Sequence, residues 1–143
     1  MIAFTYILAI FLMILLPVGL AAGLRRLSPV PWLLFSIGAL TFTLSQAVHL
    51  PLNEWLADLG WLPGESTSDL PLWRIALTAG LTAGLCEELA RSAGYVLLGK
   101  WRPGWVNLPG SLMLGLGHGG IEAMVFGGVL TAATVSALLP LVG

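Results

Sequence analysis

Five ionisable side chains lie inside apolar segments of this chain, at spacings that bring them together on helical faces. Glu87 and Glu88 stand four and three residues before Arg91, so either glutamate can pair with the arginine on one face of a helix. His118 and Glu122 are also four residues apart and can point at one site. If these segments cross a membrane, such charges are costly and normally face a partner or a cavity.

Carboxylate and imidazole groups that meet in a site of low dielectric constant can bind a divalent metal ion, such as zinc, or activate a water molecule. The candidate ligands on these segments are His118, Glu87 and Glu122. The alternative is structural, because membrane helices also use buried polar pairs to hold one another. A Glu–Arg pair alone does not decide between the two, but its combination with the His–Glu pair favours a functional site.

His49 is a further candidate ligand. It lies three residues after Gln46, so the two side chains share a helical face. Counted from Pro31, His49 is about 27 Å along its helix, within about a turn of the depth of Glu122. The alternative is an interfacial histidine at the helix end, and both interpretations stay open.

The composition places the elements that carry these residues in a membrane. Hydrophobic residues make up 57% of the 143 residues and charged residues 9%, whereas soluble domains carry about a quarter charged residues. Eighteen glycines and six tryptophans are also typical of membrane helices and their interfacial belts. A net charge of −1 argues against nucleic-acid binding. Cys86 is the only cysteine, so no internal disulfide is possible.

Apolar runs long enough to span a bilayer predict an all-α transmembrane bundle of about four spans in one domain, 1–143. The predicted spans are 2–24, 31–52, 72–99 and 108–130, with a helical tail to about 142. An acidic loop, 53–71, separates the second and third spans. Glu87 and His118 then lie at similar depths, about 19 and 15 Å from the ends of their spans.

Basic residues in short loops predict the topology, since they stay on the cytoplasmic side. Arg25, Arg26, Lys100 and Arg102 lie in two short turns and are predicted inside, which leaves the acidic loop and both termini outside. Arg74, at the outer end of the third span, is predicted to extend to the interface. The first span has no basic region before it and is interpreted as a retained span, not a cleaved signal.

Three motifs resemble the YhfC-type intramembrane metalloproteases, which are related to the CAAX-protease and bacteriocin-processing superfamily. They are residues 84–91 (Gly-Leu-Cys-Glu-Glu-Leu-Ala-Arg), residues 114–123 (Leu-Gly-Leu-Gly-His-Gly-Gly-Ile-Glu-Ala) and the upstream Ser45-Gln46-x-x-His49-x-Pro51. The run around His118 is the specific part, and the similarity covers most of the chain. The resemblance implies a protein of a prokaryotic cytoplasmic membrane that hydrolyses peptide bonds in or near the bilayer.

By this resemblance, Glu87 and Glu88 supply the carboxylate that activates water, and His118 is a metal ligand or orients the water. Arg91 holds the glutamate pair, while Glu122 and His49 complete the polar site around one zinc ion. The superfamily has a further polar motif on a later helix, whereas nothing after Glu122 is ionisable here. The chain is therefore similar to the front half of such an enzyme.

Three functions stay open at this point. The first is a membrane-embedded hydrolase, active alone, as a homo-oligomer or with other membrane helices. The second is a small non-catalytic subunit of a larger membrane complex that has kept the protease-like fold. The third, conduction of protons or ions along Glu122, Glu87 and His49, ranks lowest because four spans in one copy rarely enclose a pore.

Overall fold

A computed structural model describes residues 2–64 and 69–142, and their regular structure is helical. The helices are α1 (Ile2–Leu27), α2 (Trp32–Asp58), α3 (Leu72–Trp101), α4 (Leu108–Glu122) and α5 (Leu130–Val142). A 3₁₀ turn, Pro103–Trp105, precedes α4, and a π-helical segment, Ala123–Val129, joins α4 to α5 without a break. The prediction of an all-helical membrane bundle is confirmed, whereas the single domain and its exact spans stay predictions.

Among the described residues, three helical stretches are long and apolar enough to cross a membrane: Phe4–Leu27, Trp32–Asp58 and Leu108–Ser136. Most of their large apolar side chains face outward, as expected where lipid replaces water around a helix. Helix α3 has 30 residues and is long enough as well, but Glu87, Glu88 and Arg91 interrupt its apolar run. The charged helix is therefore the one that carries the predicted catalytic motif.

Helix α2 runs through Pro51 and continues to Asp58, six residues past the predicted end of the second span. A proline inside a helix removes one hydrogen-bond donor, and α2 accommodates this loss. The helix ends at Asp58, and Gly60 follows its last turn with a φ of 74°, the left-handed conformation that glycine favours. The Gly60 amide donates to Ala57 O at 2.9 Å and the Trp61 amide to Leu56 O at 2.8 Å, which is the Schellman pattern.

The chain divides into two compact units, one of Met1–Leu40 with Leu98–Gly143 and the other of Thr41–Leu97. In the first, α1 packs against α4 and the π-helical segment. Its buried apolar side chains are Ala21, Val30, Leu34, Leu98, Met113 and Leu114. The buried positions of the second unit include Phe42, Ser45, Leu62 and Cys86. Each unit therefore has its own small core.

Two glycines let α4 approach the first half of α2 within the first unit. A Cβ on Gly38 would overlap the backbone carbonyl of Leu114 and lie 2.9 Å from the amide nitrogen of His118. A Cβ on Gly117 would overlap the carbonyl of Phe35. The two backbones are therefore in direct contact, as small residues permit between membrane helices.

Arg74, which was predicted at the outer end of the third span, lies near the start of α3 in the second unit. Its Nη2 donates to Gly60 O at 3.1 Å, and its guanidinium lies 5.2 Å from the centroid of the Trp61 ring. A cation over an indole face is stabilised by the ring quadrupole. Arg74 thus connects the C-terminal end of α2 to the N-terminal end of α3.

Candidate functional site

The carboxylate pair of α3 lies in the second unit, where Arg91 forms an ion pair with Glu88. Its Nη1 is 3.6 Å from Glu88 Oε2, at the spacing of three residues. The Glu88 side chain is 67% exposed and that of Arg91 is 36% exposed, whereas Glu87 is half-buried. Arg91 Nε is buried and has no hydrogen-bond partner in the part of the chain that the structure describes. Arg91 therefore keeps donor capacity beyond its contact with Glu88.

His118 and Glu122 lie on α4 in the first unit. His118 is only 4% exposed, and it follows Gly117, the residue at which α4 touches the backbone of α2. Glu122 is half-buried and is the last residue of α4. The two side chains therefore start from successive turns of a helix whose position is set by backbone contact.

The π-helical segment begins directly after Glu122 and was not predicted. Such segments are rare and are often found at functional sites. On α1, Met13 and Ile14 pack against it, at positions where side chains on Gly127 and Gly128 would collide with them. The Gly127-Gly128 pair is the only sequence signal, and it indicates close packing without predicting the wider helical turn. The segment changes the direction of side chains that follow Glu122.

His49 belongs to a polar cluster of Gln46, His49, Asn53 and Thr82 that joins α2 to α3 within the second unit. His49 Nδ1 lies 3.2 Å from Gln46 Oε1, and His49 Nε2 lies 2.9 Å from Asn53 Nδ2. Thr82 Oγ1 donates to Asn53 Oδ1 at 2.8 Å and lies 3.4 Å from His49 Nε2. Each ring nitrogen of the histidine therefore has a polar neighbour.

These contacts select one tautomer of His49. The Gln46 oxygen can only accept, so Nδ1 carries the proton, and the Asn53 amide then donates to Nε2. Because the Asn53 oxygen already accepts from Thr82, the amide orientation agrees with this assignment. A metal ion could bind Nε2 only if Asn53 moved away, so the metal role of His49 stays a prediction that requires rearrangement.

Asn53 and Thr82 were missed as members of this cluster. Gln46, His49 and Asn53 are spaced three and four residues apart and lie on one face of a continuous helix. That face was not extended to Asn53 because the helix was predicted to end at residue 52. Thr82 carries no signal in the sequence, since only the packing of α3 on α2 brings it to the histidine.

The predicted site residues are divided between the units. Glu87, Glu88, Arg91 and His49 belong to the second unit, and His118 and Glu122 to the first. Within either unit, no three His, Cys, Asp or Glu side chains among the described residues form a group that could hold a metal ion. The imidazole and carboxylate groups are nevertheless the donor types that zinc takes. The assignment of ligands and catalytic groups therefore stays a prediction.

Comparison with known proteins extends over nearly the whole chain. The sequence model of a family described as YhfC intramembrane metalloprotease matches residues 12–142. This range includes every predicted site residue, from His49 to Glu122. The family is the one indicated by the three sequence motifs.

One relative is the membrane protein YhfC of Bacillus subtilis (strain 168), which is described as uncharacterized. It is 29% identical to this chain over 122 residues, which make up 85% of the chain and 45% of the relative. The chain thus spans somewhat less than half the length of this relative. No solved structure matches the chain.

Proposed function

The chain belongs to the YhfC intramembrane metalloprotease family, and from this premise we propose that it is a membrane-embedded hydrolase that cleaves peptide bonds in or near the bilayer. The observation that carries the proposal is the burial of His118 at the contact between α4 and α2. Here two glycines remove the side chains that would keep the helices apart. A buried histidine in a membrane helix is expensive, and such residues usually mark functional sites.

The roles follow from the chemistry of the groups. The pair of Glu87 and Glu88 supplies the carboxylate that takes a proton from the attacking water, and Arg91 orients this pair through Glu88. His118, Glu122 and Glu87 are the proposed zinc ligands, with His49 as a fourth that must first leave Asn53. Zinc held by these imidazole and carboxylate donors would polarise a carbonyl group and lower the pKa of a water molecule.

Metal analysis of the purified protein tests this assignment. The wild-type protein in detergent is compared with His118→Ala and Glu87→Gln, and Glu54→Gln is the matched control because Glu54 is exposed on α2. We expect one zinc per chain in the wild type and in the control, and substoichiometric zinc in both site variants. Thermal unfolding of each variant separates loss of a ligand from loss of the fold.

Cleavage is measured separately, with the same proteins in liposomes that contain a library of transmembrane peptides. Glu87→Gln should abolish cleavage that Glu54→Gln retains, because the amide cannot accept the proton of water. If freshly prepared wild type contains no metal, the metal assignment is wrong. If cleavage is also absent, the hydrolase proposal fails.

A groove on the first unit favours a second candidate, a non-catalytic subunit of a larger membrane complex. This groove, of about 410 Å³, lies between α1 and α4, and its residues are Leu16, Pro17, Leu20, Ser111, Leu112, Gly115, Leu116, Gly119 and Gly120. A Cβ on Gly115 or Gly119 would meet nothing within 4 Å, so helix backbone is open there. Such a surface suits another membrane helix.

Replacement of Gly115 by leucine tests the second candidate. The leucine would fill the groove and block a helix that packs there, while leaving the contact at Gly117 unchanged. In native gels of mildly solubilised membranes, the wild type should then migrate in a larger complex and Gly115→Leu as a smaller species. Identical migration of both as a single chain would contradict a subunit role.

A further inference from the structure

A pocket of about 390 Å³ lies in the first unit, and none of its lining residues is assigned to hydrolysis. It is lined by Arg25, Pro29, Val30, Pro31 and Trp105. Arg25 belongs to the last turn of α1, and Trp105 ends the 3₁₀ turn before α4. The two basic turns of the chain therefore meet at this pocket.

The walls of the pocket are fixed by local bonds. Arg25 Nη1 donates to Val30 O at 3.2 Å, and the Val30 amide donates to Ser28 O at 2.8 Å. The flanking residues Pro29 and Pro31 restrict this turn further, because each ring fixes its own φ. Arg25 is thereby held over the turn with most of its five N–H donors still directed elsewhere.

The opposite wall, at Trp105, is equally constrained. The Trp105 amide donates to Arg102 O at 2.9 Å. Asn107 donates to Gly104 O at 2.8 Å and accepts from the Gly110 amide at 2.9 Å, so one side chain ties the turn to α4. Gly110 is required because a Cβ there would overlap the Trp105 carbonyl. A pocket between two constrained turns can bind a ligand with little ordering cost.

The charge around the pocket is positive. The first unit contains four basic residues, all in the two turns, and its only acidic residue is Glu122 at the end of α4. The Arg102 guanidinium lies 5.6 Å from the Trp105 ring centroid and 5.2 Å from that of Trp101. Arginine, tryptophan and proline together offer a cation beside an apolar surface, which matches the junction of a lipid headgroup and its glycerol.

We propose that this pocket binds the phosphate of an anionic phospholipid, with Arg25 as the principal ligand. A guanidinium binds two phosphate oxygens in parallel, and Trp105 and the prolines cover the glycerol region. Arg102 adds positive potential, because its guanidinium lies 5.6 Å from the Trp105 ring centroid. Bound lipid would hold the C-terminal end of α1 and the turn before α4 at a fixed depth in the membrane.

Native mass spectrometry of the full chain, released from detergent, measures this binding with phosphatidylglycerol and phosphatidylcholine as probes. The test variant is Arg25→Gln, and Arg26→Gln is its matched control, because Arg26 is the neighbouring exposed arginine and does not line the pocket. We expect the wild type to retain one phosphatidylglycerol in preference to phosphatidylcholine. Arg25→Gln should weaken that binding by about fivefold or more relative to the control, a factor typical of one basic residue at an anionic surface.

Two further measurements keep the result interpretable. Arg25→Lys keeps the positive charge and removes the bidentate guanidinium, so its affinity for phosphatidylglycerol should fall between those of the wild type and Arg25→Gln. This variant keeps the test valid even if Arg25→Gln folds poorly. Inorganic phosphate is added as a competitor to distinguish a lipid from a free anion. Equal weakening by the Arg25 and Arg26 variants would overturn the proposal, because it would indicate general surface charge. Binding of inorganic phosphate as tight as that of phosphatidylglycerol would overturn the assignment to lipid.

Discussion

Individual polar residues in this protein are placed by their neighbours on adjacent helices as much as by their own helix. Arg91 has two glutamates at permitted spacings and is paired with Glu88. His49 has Gln46 on its own helix at the predicted spacing, and its other ring nitrogen lies beside Asn53 and Thr82. In a membrane such contacts are retained because unsatisfied polar groups are costly in hydrocarbon. The polar cluster around His49 therefore marks the contact between α2 and α3.

Thr82→Val tests the contribution of the His49 cluster to stability. The substitution keeps the shape of the side chain and removes the hydroxyl that donates to Asn53 Oδ1 at 2.8 Å. We expect a loss of about 0.5–1.5 kcal/mol in the free energy of unfolding, the net value of one such hydrogen bond. Thermal unfolding in detergent measures it, and Thr78→Val, one turn earlier on α3, is the control. Equal midpoints for both variants would show that the cluster adds nothing to stability.

At the scale of helices, glycine has two different uses in α4. Gly117 lies where α4 touches the backbone of α2, whereas Gly115 and Gly119 face the open groove. The three residues belong to one glycine-rich run and cannot be distinguished by composition. The π-helical segment that follows is packed on α1 through Gly127 and Gly128. Helix contact in the first unit therefore depends on particular glycines.

Gly117→Ala and Gly115→Ala should have opposite effects on stability. A methyl group at position 117 would overlap Phe35 O, so α4 and α2 must separate, with an expected cost of about 1–3 kcal/mol. At position 115 the methyl group meets nothing within 4 Å, and alanine raises helix propensity by about 0.8–1.0 kcal/mol. Midpoints of thermal unfolding in detergent measure both. Similar destabilisation by the two variants would contradict the helix contact described here.

At the scale of the whole molecule, the basic residues of the first unit are gathered at one end. Arg25 and Trp105 line the same pocket, so the turn after α1 and the turn before α4 lie together. This agrees with the predicted topology, in which both basic turns are cytoplasmic and the termini are outside. The orientation itself stays a prediction.

Cysteine labelling tests that orientation. Single cysteines are introduced at Ser28, Gly104 or Leu59 in a Cys86→Ala background, and intact cells are treated with a membrane-impermeant maleimide. Leu59→Cys, at the exposed end of α2, should react in intact cells. Ser28→Cys and Gly104→Cys should react only after permeabilisation, because basic turns stay in the cytoplasm. Reaction of these last two from opposite sides of the membrane would contradict the shared pocket.

The sequence by itself determined that this is an all-helical membrane protein of the YhfC family. Membrane character depends on the summed hydrophobicity of many residues, so a misjudged single residue does not change it. The family is recognised from the motifs around Glu87 and His118, which are short and continuous in the sequence. Helix ends were not fixed in the same way: the second span was predicted to end at residue 52, whereas α2 continues to Asp58 and the left-handed Gly60 follows its last turn. The signal for that end, a glycine after the last apolar turn, was present in the sequence.

Only the tertiary structure decided which of the possible partners is used. Spacing along one helix cannot bring Thr82 to His49, and it cannot distinguish Gly117 from Gly115. The physical reason is that a helix fixes which side chains share a face, whereas the packing of a second helix decides which face is covered. The pocket at Arg25 and Trp105 arises in the same way, since its walls are far apart in sequence and meet only in the folded chain.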